Sequence, residues 1–126
     1  MFGNRNAPTV SYAKFSPDFH FDPVEGLWVG GQFLDGRAST LEDQAKQPFL
    51  NPNEQANSSK ANVVNKVQSG PNAALFQTVY GPNAFDDVDT AYDNIANAIA
   101  AFERTEPELF IRAVGRRDVM RIGSAV

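Results

Sequence analysis

The stretch "DVDTAYDNIANAIAAFERT", residues 87–105, decides the fold class. Val88, Ala91, Tyr92, Ile95, Ile99 and Phe102 recur at helical spacing, which predicts a helix with one apolar stripe. Such a stripe needs other elements to cover it, and the chain upstream offers three. Ser39 followed by Glu42 has the pattern of a reciprocal capping box and predicts a helix over about 40–46, ended ahead of Pro48. "SSKANVVNKVQSG", residues 58–70, predicts a second, capped by Ser58 or Ser59 and stopped by Gly70. "PNAALFQTVYG", residues 71–81, repeats that logic with Pro71 early and Gly81 late.

The first 35 residues show no helical period and are rich in Pro, Gly, Asn and aromatics. "RNAPTVSYAKF" begins extended, because Ala7 precedes Pro8 and is pushed out of the helical region. "SPDFHFDPVEGLWVGGQFLDG", residues 16–36, reads as irregular loop with a short hairpin turning at Gly30-Gly31. Its aromatics (Phe19, Phe21, Trp28, Phe33) are expected to lie buried on the rest of the protein. The expected fold is all-α: one domain, residues 1–126, of short helices with a long aromatic-rich N-terminal loop.

Composition narrows the chemistry. The 126 residues are 42% hydrophobic and include ten Phe, enough for a packed core without staples. They contain no cysteine, which excludes disulfides, thiolate metal sites and covalent haem attachment through a C-x-x-C-H motif. The net charge is −4, divided unevenly: residues 1–111 carry an acidic excess and "RAVGRRDVMRIGSAV", residues 112–126, a basic one. An acidic body argues against nucleic acid as a partner, and the four tail arginines read as solvated. No apolar run approaches membrane-spanning length. Met1 leads straight into "FGNRNAP" without a signal-peptide pattern, so the sequence shows no address.

Few residues invite chemistry on their own. His20, within "DFHFD", is the single histidine, and it reads first as a hydrogen-bonded loop residue. As an axial ligand it would need one ring nitrogen free and the other held by an acceptor such as Asp18 or Asp22. One histidine rules out any argument for a Ser/His/Asp set. Arg37, in the turn Asp35-Gly36-Arg37, has a guanidinium suited to a carboxylate, whether a neighbouring Asp or a bound ligand.

"RNAPTV", then "QFLDGRASTLEDQAKQPFLNPNE", then "AYDNIANAIAAFERT" together resemble the bacterial dihaem cytochrome c peroxidases and their MauG-like relatives, over residues 4 to about 107. In that family these blocks lie between two C-x-x-C-H motifs, so the resemblance implies a piece of a larger enzyme: a cytochrome c-like helical fragment, excised, truncated or split. It implies haem c as the family's cofactor, with the remaining haem-bearing part or a small redox protein as partner, and a periplasmic setting.

It also implies residue roles. Asn6 falls on the Asn that helps bind a calcium ion between the haem domains, and an amide oxygen suits that hard cation. Gln44 and Glu54 fall on the distal-pocket pair, Glu54 as acid–base residue for peroxide heterolysis and Gln44 as the orienting amide. Arg37 would face a haem propionate. Leu34 stands where the family usually has an electron-transfer Trp; Trp28 is read as a loop anchor instead. Without iron, the isolated chain is expected to lack turnover. The alternative is a haem-free structural or interaction module, with the basic tail a new element. Helix faces uncovered by missing haem domains are expected to drive self-association into a homo-oligomer.

Overall fold

The computed structural model describes residues 13–33 and 35–122, with residues 106–122 as helical backbone. A single turn of 3-10 helix, Ala13–Phe15, leads into strands β1 (His20–Asp22) and β2 (Leu27–Val29), followed by four helices. These are α1 (Leu41–Leu50), α2 (Lys60–Gln68), α3 (Ala73–Tyr80) and α4 (Val88–Ile122). The all-α expectation is therefore corrected: the described residues include a two-stranded antiparallel sheet, with Phe21 opposite Trp28.

The hairpin does not turn at Gly30-Gly31. It turns at residues 23–26, where the Asp22 carboxylate accepts from the backbone N–H groups of Val24 and Glu25 and closes the loop locally. Gly30 and Gly31 serve a close approach instead. Their φ values are +82° and +80°, and a Cβ on Gly30 would meet the carbonyl oxygens of Pro17 and Asp18 at 2.5 and 2.7 Å. A Cβ on Gly31 would fall 2.9 Å from the Gly36 carbonyl oxygen. Only glycine lets the hairpin leave against the turn that carries Arg37.

The helix starts follow side-chain oxygens. Thr40, one residue beyond the expected Ser39, accepts from the Asp43 N–H at 3.1 Å and caps α1. Ser59 caps α2 by accepting from the Asn62 N–H, as expected. Pro48 does not end α1, which continues to Leu50. A proline removes one donor and crowds the preceding turn, and here packing against α4 and bonds from the following loop carry the helix past it.

The core lies where α2, α3 and α4 meet, around Val63, Val64, Phe76, Phe85, Tyr92 and Ile95. Phe76 stacks on Phe85 with ring centroids 4.9 Å apart. The helical stripe of α4 stands where it was expected at Ala91, Tyr92 and Ile95, which are buried, and at Ile99, which packs against the core; it differs at its two ends. Ala91, Ala96 and Ala100 are fully buried, whereas Val88 is 38% and Phe102 54% exposed. Helix α1 lies along α4 in antiparallel sense. Glu42 pairs with Arg104 at 2.6 Å near one end, and Lys46 with Asp93 at 2.9 Å near the other. Between them the Tyr92 hydroxyl donates to the Lys46 carbonyl at 2.8 Å, and Phe49 meets the Tyr92 ring edge-on.

One acid on α4 also turns inward. Glu103 is buried, and its Oε2 has no hydrogen-bond partner among the described residues. Burial pushes its carboxyl above the usual range, with the adjacent Arg104 opposing only in part. For Glu42, burial also pushes upward, but the hydrogen bond from Arg104, with backbone and Thr40 donors, outweighs it and holds the carboxyl low.

The two acids thus act in different pH windows. The fold loses what Glu42 contributes as pH falls below the ordinary glutamate range. Above that range the folded state retains the Glu103 proton that the unfolded chain releases, so stability falls as pH rises through the raised value. Glu103→Gln is expected to raise stability at neutral pH and to flatten its decline above the ordinary glutamate range, as read by urea unfolding across a pH series. An unchanged slope would remove Glu103 as its source.

Candidate functional site

Gln44 and Glu54 share one local unit, α1 and the loop that follows it. Gln44 sits one turn into α1, half-buried, with its backbone N–H bonded to the Thr40 carbonyl at 3.0 Å. It lies between the two points where α1 is fixed to α4, the Glu42–Arg104 pair and the Lys46–Tyr92–Asp93 group. Burial pushes the Tyr92 phenol up, against the pull of Lys60 and Lys46, so it stays protonated and keeps donating to α1.

Glu54 is exposed, in the turn that caps the far end of α1. The loop satisfies helix-end carbonyls that would otherwise lack partners. Gln55 N–H donates to the Pro48 carbonyl, Asn57 N–H to that of Phe49, and both Glu54 and Ala56 N–H to that of Asn51. The Asn51 side chain accepts from the Asn53 N–H at 3.0 Å. The Asn57 side chain donates to the Phe49 carbonyl at 2.8 Å and accepts from Lys66 Nζ at 2.6 Å, tying the loop to α2. Ala56 holds a left-handed φ of +50° to complete the turn, a conformation that costs a residue with a Cβ roughly 1–2 kcal/mol.

Arg37 takes the simpler of its two expected partners. Its guanidinium pairs with Asp35 at 2.9 Å and lies 3.6 Å above the centroid of the Phe33 ring. Phe33 has φ +64°, the second non-glycine residue in the left-handed region among those described. His20 Nδ1 lies 2.8 Å from the Asp18 backbone carbonyl, and since a carbonyl only accepts, Nδ1 carries a proton. Asn6 and Leu34 lie outside the described residues. The structure thus brings Gln44 and Glu54 onto one unit and leaves His20 on the hairpin, apart from it.

The aromatics of the hairpin are not buried. Trp28 is 61% exposed, and Phe19 and Phe21 pack on it, stacked and edge-on respectively, rather than on the core. Trp28 is therefore the centre of a surface cluster and not a loop anchor. The strand pleat puts Phe21 and Trp28 on one face of the hairpin and His20 and Val29 on the other.

These residues do not fit the holding of haem. No cysteine is present for covalent attachment, and the imidazole faces away from the exposed rings that would flank a flat apolar ligand. No cluster of three or more His, Cys, Asp or Glu side chains forms a metal site among the described residues. None of the described helices is long and apolar enough to cross a membrane.

Sequence reasoning missed Asn57, Lys66 and the inward turn of Glu103. A signal for the first existed: "NPNEQANSS" places Asn51, Asn53 and Asn57 at successive turning points.

The sequence profile of the family described as di-haem cytochrome c peroxidase matches residues 1–110. The methylamine utilization protein MauG of Paracoccus denitrificans is 42% identical over 104 residues, 82% of this chain and 27% of that protein. Cytochrome c peroxidase Ccp of Escherichia coli is 38% identical over 104 residues, again 82% of this chain but 18% of the relative. Among solved structures, the diheme peroxidase BthA from Burkholderia thailandensis superposes with a TM-score of 0.74 at 31% identity, over 82% of this chain and 25% of that one. The chain thus spans about a quarter or less of the length of these relatives.

Ala56→Gly relieves the left-handed strain beside Glu54 without disturbing a side-chain contact. It is expected to raise stability by about 0.5–1 kcal/mol after the entropy of the glycine is counted, measured by chemical denaturation. A loss of stability would show that the Ala56 methyl packs.

Proposed function

This chain belongs to the di-haem cytochrome c peroxidase family, and from that premise we propose that it is a proton-handling segment of such an enzyme. It supplies Gln44 and Glu54 to a peroxide site whose haem is held by other segments. Reduction of hydrogen peroxide to two waters consumes two electrons and two protons. The electrons and the iron come from outside this chain; the chain contributes proton placement. The Glu54 carboxylate accepts a proton from one peroxide oxygen and returns it to the other, while the Gln44 amide orients the peroxide. The observation that carries the reading is the rigid unit of α1 and its capping loop, which bears both residues within the family match.

Two features of the chain agree with the role of a segment. It holds no cysteine for haem, and it leaves apolar groups uncovered: the Phe19–Trp28–Phe21 cluster, Leu75, Val79 and Phe102. The haem-bearing remainder of the enzyme would cover the aromatic hairpin. A calcium ligand role for Asn6, with partner ligands elsewhere, and a periplasmic setting belong to the same reading. A haem-free interaction module is the second reading, favoured by the same exposed cluster.

Mixed with peroxide and a chromogenic donor, the chain alone is expected to give no rate above buffer and no Soret band; a haem-dependent rate from it would sink the proposal. A chimaera of the Escherichia coli relative, with its matching segment replaced by residues 4–107 of this chain, is expected to reduce peroxide. Glu54→Gln in that chimaera is expected to cost about 10²–10⁴-fold in rate, the range of a lost general acid–base. An active chimaera indifferent to Glu54→Gln would favour the module reading.

With its apolar faces uncovered, the isolated chain is expected to self-associate at tens of micromolar, and Trp28→Ser to shift it toward monomer. Light scattering checks this, and a monomer at that concentration would contradict it.

A further inference from the structure

No side-chain hydrogen bond or ion pair engages Glu54 among the described residues. Its place therefore depends on the backbone that carries it, and among the described side chains that of Asn57 ties that backbone to both α1 and α2. We propose that Asn57, held in turn by Lys66, is the positioning residue of the Gln44–Glu54 pair. It fixes the loop bearing Glu54 against the end of the helix bearing Gln44.

The amide of Asn57 uses both its ends. Nδ2 donates to the Phe49 carbonyl at 2.8 Å, on the same oxygen that the Asn57 backbone N–H reaches at 3.0 Å. Oδ1 accepts from Lys66 Nζ at 2.6 Å, and Lys66 stands in the last turn of α2, where a cation also suits the helix dipole. The loop is thus bonded to α1 on one side and to α2 on the other.

Ala56, immediately before Asn57, is held at φ +50°, which a residue with a Cβ adopts only when its surroundings over-determine it. Asn57 shares this determination with the backbone bonds of Gln55 and Ala56, and adds to them a side chain anchored on both α1 and α2. Without its side chain, the Phe49 carbonyl loses a donor, Lys66 loses its acceptor, and Ala56 is free to relax to negative φ. The loop then carries Glu54 away from its place relative to Gln44, while the helices, whose packing lies elsewhere, remain.

The inference rests on the reading of Gln44 and Glu54 as a working pair, but its test reads placement and not chemistry. The chain has no native cysteine, so Gln44→Cys and Glu54→Cys together accept two nitroxide labels at unique positions. Dipolar EPR then reports the distance distribution between them. In the otherwise native chain that distribution is expected to be narrow.

Asn57→Ala is expected to broaden it about twofold, the signature of local opening with the helices intact. Lys66→Met is expected to broaden it less, and Lys66→Arg, which keeps a donor for Oδ1, to restore the native width. Circular dichroism checks that each variant is folded. Should Asn57→Ala fail to fold, the comparison of Lys66→Met with Lys66→Arg decides alone.

A width unchanged by Asn57→Ala or by Lys66→Met, with only the melting temperature lowered, would make Asn57 a helix cap and overturn the proposal. An inactive chimaera would count against the catalytic reading of Glu54 while leaving this distance result standing.

Discussion

The close approach of α1 to α4 is the constraint on which the rest of the structure depends. It is made possible by absence of bulk: Ala96 and Ala100 on α4 and Ala45 on α1 are buried and present only methyl groups. Two backbones that approach this closely bring charged groups at their margins within reach. The Glu42–Arg104 and Lys46–Asp93 pairs are partly exposed and contribute at most about 1 kcal/mol each. Their role is register. The Tyr92 hydroxyl, whose ring is packed in the core, adds a directional bond to the Lys46 carbonyl worth about 0.5–1.5 kcal/mol net. Gln44 lies between these fixed points, so the rotation of its helix is set before any ligand is considered.

Much of this was legible in the sequence, and what was not has identifiable causes. The four helices follow from periodicity and from Ser, Pro and Gly at their ends. The stripe on α4 was legible at Ala91, Tyr92, Ile95 and Ile99 and missed only at its ends, Val88 and Phe102, where bulk was taken as the sign of burial. At a close helix pair alanine is preferred inside, and Phe102 is left at the surface. Ser39 and Thr40 are equally good caps in isolation; only the tertiary path of the chain selects Thr40. The hairpin turn was assigned to Gly30-Gly31 because paired glycines signal turns, yet Asp22 closes the turn and the glycines answer to close approaches of backbone at Pro17, Asp18, Gly36 and Ala38. The roles of Gln44 and Glu54 came from resemblance. Nothing in residue type or spacing distinguishes them from surface polar groups.

Family membership and composition pull in different directions, and the structure shows how the two coexist. The helices keep a core of their own around Val64, Phe76 and Tyr92, so the fold does not need a porphyrin at its centre. What lacks a cover is peripheral: the aromatic hairpin and the outward residues of α3. A segment built this way can keep α1 and its capping loop in place on a core of its own. The acidic groups around the hairpin, Asp18, Asp22 and Glu25, have no Lys or Arg among residues 15–36 to balance them.

Pro48 links the helix of Gln44 to the loop of Glu54 more tightly than either suggests alone. It has no N–H, so the helical bond that would run from residue 48 to the Gln44 carbonyl cannot form. The last turn of α1 is weakened there and depends on groups from outside the helix. Those groups are the N–H of Gln55, on the Pro48 carbonyl, and the backbone and side chain of Asn57, on that of Phe49. The helix end exists because the loop folds back on it, and the loop keeps its left-handed turn at Ala56 because the helix end is there to receive it. Opening of the loop strips these donors from the last turn of α1, while the turns that carry Gln44 and are fixed to α4 stand. A chemistry that requires an amide and a carboxylate at fixed separation gains from this coupling, since any motion that displaces Glu54 also costs the last turn of the helix that carries Gln44.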